Sequence, residues 1–296
     1  MRKWLAGTAV LIAWLTLPAP AAAWGFTAHQ FIMRRALDLL PPELKPFFEQ
    51  RRDEVVFRVK DPDLWRNAGW PEEANHFMDF GVKEYGDYPF SALPRDYTAA
   101  LQKFGQATIQ KNGRLPWRFA EAFGNLRRAF EGFGRNNIYA PDDVVLFAGM
   151  AAHYIQDAHQ PLHAADNYDG LQTGQRGIHS RFETELFERY QAQLSFAPPP
   201  VVPITTPDEV AWTVLLDSFQ QVEPLLKADK AASAGLEFYD DAYFARFLSE
   251  ARPLMERQIS RAIAATAAVI TGAWIEAGRP VVGPVKPRPP QKIGGR

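Results

Sequence analysis

Four of the six histidines in this sequence, His153, His159, His163 and His179, fall within one stretch of 27 residues together with Asp157 and Glu183. Imidazole and carboxylate are the side chains that ligate divalent metal when thiolate is missing. The chain has no cysteine, so a metal site here must be built from nitrogen and oxygen alone. His153 and Asp157 stand four residues apart in a segment of helical patterning, which puts both on one face with Cβ atoms about 5–6 Å apart, a span one cation can bridge. His179 and Glu183 repeat the spacing. Between the pairs, Gln160-Pro161 ends the first helix, so His163 comes from the turn beyond and can face inward free of the helical period. One His-x-x-x-Asp pair alone reads best as an ordinary hydrogen-bonded pair; two such pairs around a third histidine make ligation the better reading. His159, two residues past Asp157 and on another face, is expected to be a satisfied histidine outside the ligand set. Asp166, Asp169, Glu185 and Glu188 are expected to be solvated.

Two helices and a turn must therefore converge, and the rest of the chain supplies more helices to hold them. Apolar residues recur at helical spacing over 27–40, 42–59, 95–111, 116–132, 141–158, 178–193, 207–227 and 240–277, and no run of alternating strands is present. Pro141-Asp142-Asp143 starts the helix that carries His153, with proline in the first turn and acids against the positive helix end. A kink is expected at Pro253 in the last helix. The fold class is all-α, one domain over 24–278 forming a compact multi-helix body, followed by a Pro/Gly-rich disordered tail over 279–296.

Met1-Arg2-Lys3, an apolar run to Leu17 and then Ala21-Ala22-Ala23 have the layout of a cleaved export signal over 1–23, so the protein is expected to be periplasmic or secreted. The apolar run is shorter than the roughly 20 residues of a spanning helix, which disfavours an anchor. Cleavage after Ala23 would make Trp24 the first residue, and a free α-amine with its own carbonyl oxygen can chelate a metal. With 296 residues, 47% hydrophobic and 23% charged, the chain can bury a sizeable core. Its net charge of −1, with no basic stripe, excludes stable electrostatic binding of duplex DNA. A monomer is expected.

The stretch His153-Tyr-Ile-Gln-Asp157-Ala-His-Gln160-Pro161-Leu-His163, followed by Gly177-Ile-His179-Ser180-Arg-Phe-Glu183, resembles the bacterial zinc-dependent phospholipases C and the related single-strand nucleases of fungi and plants. The similarity extends to Trp24-Gly25 with His29, to His76-Phe77 and more loosely to the last helix around Arg252-Pro253. What it implies is a helical phospholipase C/nuclease-like fold with three Zn2+ in one cleft. One zinc would take an upstream aspartate, His76 and His153; a second would take the Trp24 amine and carbonyl with His29; Asp157 would bridge them. The third would take His163, His179 and Glu183. Asp61 and Asp63 both suit the upstream ligand. Asp63 is preferred because it stands three residues before a basic residue, Arg66, while Asp61 is expected to cap a helix beside Pro62. Three zinc ions against three carboxylates leave a surplus of positive charge, which explains how a mildly acidic protein attracts an anionic substrate.

The implied activity is that of an exported zinc-dependent phosphodiester hydrolase, in which metal-activated hydroxide attacks phosphorus and Asp63 and Asp157 are the catalytic carboxylates. The substrate is a phospholipid headgroup or single-stranded nucleic acid. Glu183, where the fungal nucleases carry aspartate, and the lack of cysteine point to a phospholipase C that makes peripheral contact with membrane, and this is ranked first. The four residues between Trp24 and His29 point instead to a nuclease or 3'-nucleotidase. A periplasmic protein that binds zinc without catalysis is the third reading.

Overall fold

A computed structural model describes residues 24–283. The export signal and most of the expected tail lie outside the described residues. Helices α1 (Phe26–Leu37), α2 (Lys45–Gln50), α3 (Arg52–Arg58) and α4 (Asp61–Asn67) lead to a long irregular segment, then to α5 (Tyr97–Asn112), α6 (Leu115–Gly134) and α7 (Ala140–Ala158). A short turn of 3₁₀ helix, Pro161–Ala164, is followed by α8 (Ile178–Ser180), a π-helical turn (Arg181–Leu186), α9 (Phe187–Tyr190), α10 (Pro207–Phe219), α11 (Val222–Ser233) and α12 (Asp241–Glu276). Among the described residues no helix is long and apolar enough to cross a membrane.

The centre of the molecule is α7. Pro141 in its first turn, with Asp142 and Asp143 beside it, opens the helix as the sequence pattern requires. From Ala148 to Ala158 every residue is buried, because α3, α6 and α12 pack around it. A helix so enclosed cannot be amphipathic, and its small residues let its neighbours come close. At Gly149 an added Cβ would lie 2.7 Å from the Arg58 Cβ and 2.9 Å from the Arg58 carbonyl oxygen, so only glycine permits the crossing of α3 and α7.

Several expected helices are shorter than their patterning. The run over 42–59 breaks at Arg51, and that over 207–227 breaks at Gln220-Gln221 into α10 and α11. The run over 178–193 takes a π-helical turn at Glu183. Helix α12 continues through Pro253, opened by the Asp240 side chain, which accepts from the amides of Ala242 and Tyr243. One helix escapes the apolar-period reading. In α4, Asp61, Pro62 and Asp63 form the first turn, and Asp61 makes no capping bond; it pairs with Arg58 at 3.1 Å instead. The capping role expected of Asp61 is therefore corrected: Lys60 occupies the cap position, and Asp61 already lies inside the helix.

One extended segment matters for the site. Residues 76–80 lie between two neighbours, bridged at Met78 to Gly113 on one side and at Phe80 to Ala165 on the other. Gly113 has φ +91° and its missing Cβ would fall 2.1 Å from the Phe77 carbonyl oxygen, so this close antiparallel approach is available only to glycine. The pairing carries His76 and His163 toward one another: the Met78 amide donates to the His163 carbonyl at 2.8 Å.

Candidate metal centre

Eight side chains from well-separated parts of the chain meet beneath one cleft. His29 comes from α1, Asp63 from α4, His76 from the extended segment, His153 and Asp157 from α7, His163 from the 3₁₀ turn, His179 from α8 and Glu183 from the π-helical turn. All are buried. They fall into three groups whose ligand atoms lie within 4.8 Å of one another: His29, His153 and Asp157; Asp63, His76 and His153; and His163, His179 and Glu183. The sequence expectation of the same eight side chains thus meets one place in the fold. Trp24 is buried beside the first group, its indole Nε1 donating to the Gln156 carbonyl at 2.9 Å. Asp63 is the upstream carboxylate that joins a group, and Asp61 joins none.

The hydrogen bonds decide which ring nitrogen each histidine presents. His153 Nδ1 donates to the Val59 carbonyl at 2.8 Å, and His163 Nδ1 donates to the His76 carbonyl at 2.7 Å. A carbonyl can only accept, so in the neutral ring Nε2 keeps a bare lone pair that faces the group. His29 Nδ1 lies 2.6 Å from Gln156 Oε1, and the Gln156 amide nitrogen is engaged with Thr266 Oγ1, which fixes His29 the same way. These are the outer partners that ligating histidines require. Ring nitrogens then crowd: His153 Nε2 lies 3.0 Å from His76 Nδ1, and His163 Nε2 lies 3.1 Å from His179 Nε2.

Carboxylates sit among them. Asp157 has Oδ2 at 3.1 Å from both His76 Nδ1 and His153 Nε2, and Oδ1 at 3.3 Å from His29 Nε2. Glu183 Oε2 stands 2.9 Å from His179 Nε2 and accepts from Gln160 at 2.8 Å. Yet both oxygens of Asp63, Asp157 Oδ1, Glu183 Oε1 and the ring nitrogens His29 Nε2, His76 Nε2 and His179 Nδ1 are buried without a well-directed hydrogen bond. A buried polar atom left without one costs about 1–3 kcal/mol, whereas metal ligation satisfies such a set. These buried triads can hold metal ions, and the donor set of neutral nitrogen with carboxylate oxygen suits zinc and its neighbours.

Charge agrees with geometry. Burial opposes ionisation of Asp157, but the neighbouring His153 and His163 hold its carboxyl well below the usual range. Glu183 is likewise opposed by burial and held down to about 2 by His179 and His163. In His153 and His163 burial works against the charged form, but Asp157, joined at His163 by Glu183, raises both above the ordinary 6.5. A cation must displace those protons. Metal affinity is therefore full above the raised values and is expected to weaken as pH falls through them, with protons released on binding. Titration calorimetry in two buffers of different ionisation enthalpy reads the proton count; equal heats in both would contradict it.

His159 is buried, donates Nδ1 to the Ile155 carbonyl at 2.7 Å, and belongs to no group. Burial pushes its pKa down to about 4.

Two of the groups reach a cleft of about 450 Å³, through His76 and through His163 and His179, and Arg66, Lys111, Phe77, Asp79, Asn112 and Tyr168 line it with them; the His29, His153 and Asp157 group lies behind them. Arg66 Nη2 lies 3.1 Å from Asp63 Oδ1. Burial, reinforced by Asp166, pushes the Asp79 carboxyl up to about 8. Gln156, Gln160, Asp79 and Asn112 escape the sequence reading. Only the two glutamines have a signal there, being amides in the otherwise apolar face of a ligand-bearing helix and at its end. No protein-family model matches this chain, and no curated protein matches it.

Proposed function

We propose that this chain is an exported zinc-dependent phosphodiester hydrolase, and that single-stranded nucleic acid is the substrate class its cleft fits best. The observation that supports it above all is the set of three buried triads, two of which reach a cleft that Arg66 and Lys111 also line. His29, Asp63, His76, His153 and Asp157, with the Trp24 amine and carbonyl, would hold two ions, and His163, His179 and Glu183 a third. Bound zinc supplies Lewis-acid chemistry, neutralising anionic oxygen and acidifying water. The residues do the rest. Arg66 and Lys111 donate to phosphoryl oxygens, and Asp63 accepts a proton while keeping Arg66 aimed into the cleft.

The walls bear on the substrate. Phe77 offers a half-buried ring for stacking, and the Asp79 carboxyl with the Asn112 amide offers hydrogen bonds to the edge of a planar base. This reverses the order of preference drawn from Glu183 and the missing cysteines. The phospholipid reading keeps one supporting observation: Trp70 and Leu171, next in the chain to cleft segments, are each 62% exposed, as side chains entering a lipid surface would be. Protein beginning at Trp24 and loaded with zinc is expected to hydrolyse single-stranded DNA or RNA, to stop on chelation and to recover with zinc. Hydrolysis of short-chain phosphatidylcholine alone would replace this reading with the phospholipase, and zinc binding with no hydrolysis would leave a zinc-binding protein.

A further inference from the structure

Beside the cleft lies a second pocket of about 540 Å³, open to solvent and lined by Arg95, Arg114, Arg118, Tyr97 and Trp117 with three acids. The acids are engaged elsewhere or face a helix end. Asp96 caps α5 by accepting from the Ala99 amide at 2.8 Å, Glu121 pairs with Arg118 at 2.9 Å, and Asp208 sits in the first turn of α10. Arg118 is also bonded to the Tyr154 hydroxyl at 3.1 Å. Arg95 and Arg114 have no carboxylate within 4.0 Å among the described residues. Arg114 lies over the Tyr97 ring at 5.7 Å, and Tyr97 and Trp117 tilt together at 5.2 Å. Two cations without counterions, set among aromatic rings, form the pairing that binds phosphate and base of an unpaired strand.

The position of the pocket gives it a purpose. Lys111 and Asn112 line the metal cleft, and Arg114, Trp117 and Arg118 line the second pocket, so one short segment forms the wall between them. Two residues separate Lys111 from Arg114, three steps of chain or at most about 11 Å, which two or three nucleotides of a strand cover. The Arg114 amide is fixed to the Ala74 carbonyl at 2.7 Å, and the Leu115 amide to the Phe77 carbonyl at 3.1 Å, which ties this wall to the segment that carries His76.

We infer that this pocket is a downstream or upstream subsite that holds a phosphate and base of a single strand two or three nucleotides from the bond cleaved in the metal cleft. The inference rests on the nucleic-acid reading of that cleft. It makes the protein prefer polymer over dinucleotide.

The test compares zinc-loaded wild type with Arg95→Ala/Arg114→Ala on oligothymidylate of about twelve nucleotides and on the dinucleotide dTpdT, which fills the cleft alone. The expected result is a KM for the oligonucleotide raised about tenfold with kcat kept, unchanged kinetics on dTpdT, and a salt dependence of kcat/KM shallower by about 0.7 for each phosphate no longer neutralised. Arg114→Lys should recover most of the loss if charge is what matters. Equal losses on both substrates, or none on either, overturn the subsite. If wild type cleaves no nucleic acid, the activity reading falls, and polarisation binding of the labelled oligonucleotide decides the subsite by itself. Weaker binding by the double variant supports it; equal or absent binding, or a loss confined to anionic lipid vesicles, overturns it.

Discussion

Asp157→Asn is expected to lose metal and turnover together. The carboxylate stands within 3.3 Å of ring nitrogens from His29, His76 and His153, so it is the one group that three of the cluster's imidazoles share. Asparagine keeps the shape but removes the charge, and one of its two polar ends becomes an N–H pair that repels a cation and cannot ligate. The helix should survive, since residue 157 sits in a helix held by packing on every side. Changing an outer partner of a metal ligand costs about 10–100-fold, and a shared ligand should cost more, so activity is expected to fall at least about a hundredfold. Metal analysis of the folded variant should show fewer ions per chain than wild type. Full stoichiometry and full activity would falsify the sharing.

Asp229→Ala should produce the largest loss of stability, and it acts at a distance from the ligands. Arg181, next but one to His179, is buried and lies 2.9 Å from Asp229 Oδ1 through Nη2, while Asp229 Oδ2 accepts from Gln175 at 2.7 Å. The same guanidinium donates to the carbonyls of Arg176 and Gln175 at 2.7 and 3.1 Å and stacks 3.8 Å from the Tyr239 ring. Helix α11 thus clamps the loop that delivers His179. Removing one partner of a buried pair leaves an uncompensated charge and costs about 3–5 kcal/mol, which at this chain length lowers the melting temperature by roughly 10 °C. Since the loop carries His179, the His163/His179/Glu183 group should lose affinity while the other two keep theirs. Asp229→Asn, which keeps one accepting oxygen for Arg181 and Tyr243 but loses the charge and the bond from Gln175, should fall between. A melting point for Asp229→Ala within about 2 °C of wild type would show that packing alone holds the loop.

The parts of the site legible in the sequence are those set by local period. His153 with Asp157, and His179 with Glu183, stand four apart, and a proline places His163 after the helix, so three of the converging elements can be drawn without coordinates. His29 and His76 are reachable only through the resemblance, because nothing local says that α1 and the extended segment come to the same place. What holds the rings is not readable. The acceptors for His153 and His163 are backbone carbonyls, of Val59 and His76, and a carbonyl has no letter of its own in a sequence. Helix α4 escapes because seven residues are too few to show a period, though Asp61-Pro62-Asp63 is a helix start in composition. The break at Arg51 escapes for the opposite reason, since no proline or glycine marks it and tertiary packing sets the new direction, whereas the break at Gln220 has a signal in Pro224, in the first turn of α11. The arginine pocket joins residues near 95, 114 and 208, a proximity that only the assembled helices create.

With eleven successive residues of α7 shielded from water, its ligand-bearing half has no face from which to fray. Its amides can exchange with solvent only when the whole domain opens, so His153 and Asp157 belong to the slowest-breathing part of the molecule. Tyr168 and Leu171, beside the cleft, are 43% and 62% exposed. In the proposed enzyme ions and substrate would pass over these side chains, while the shielded helix would set how tightly an ion is gripped.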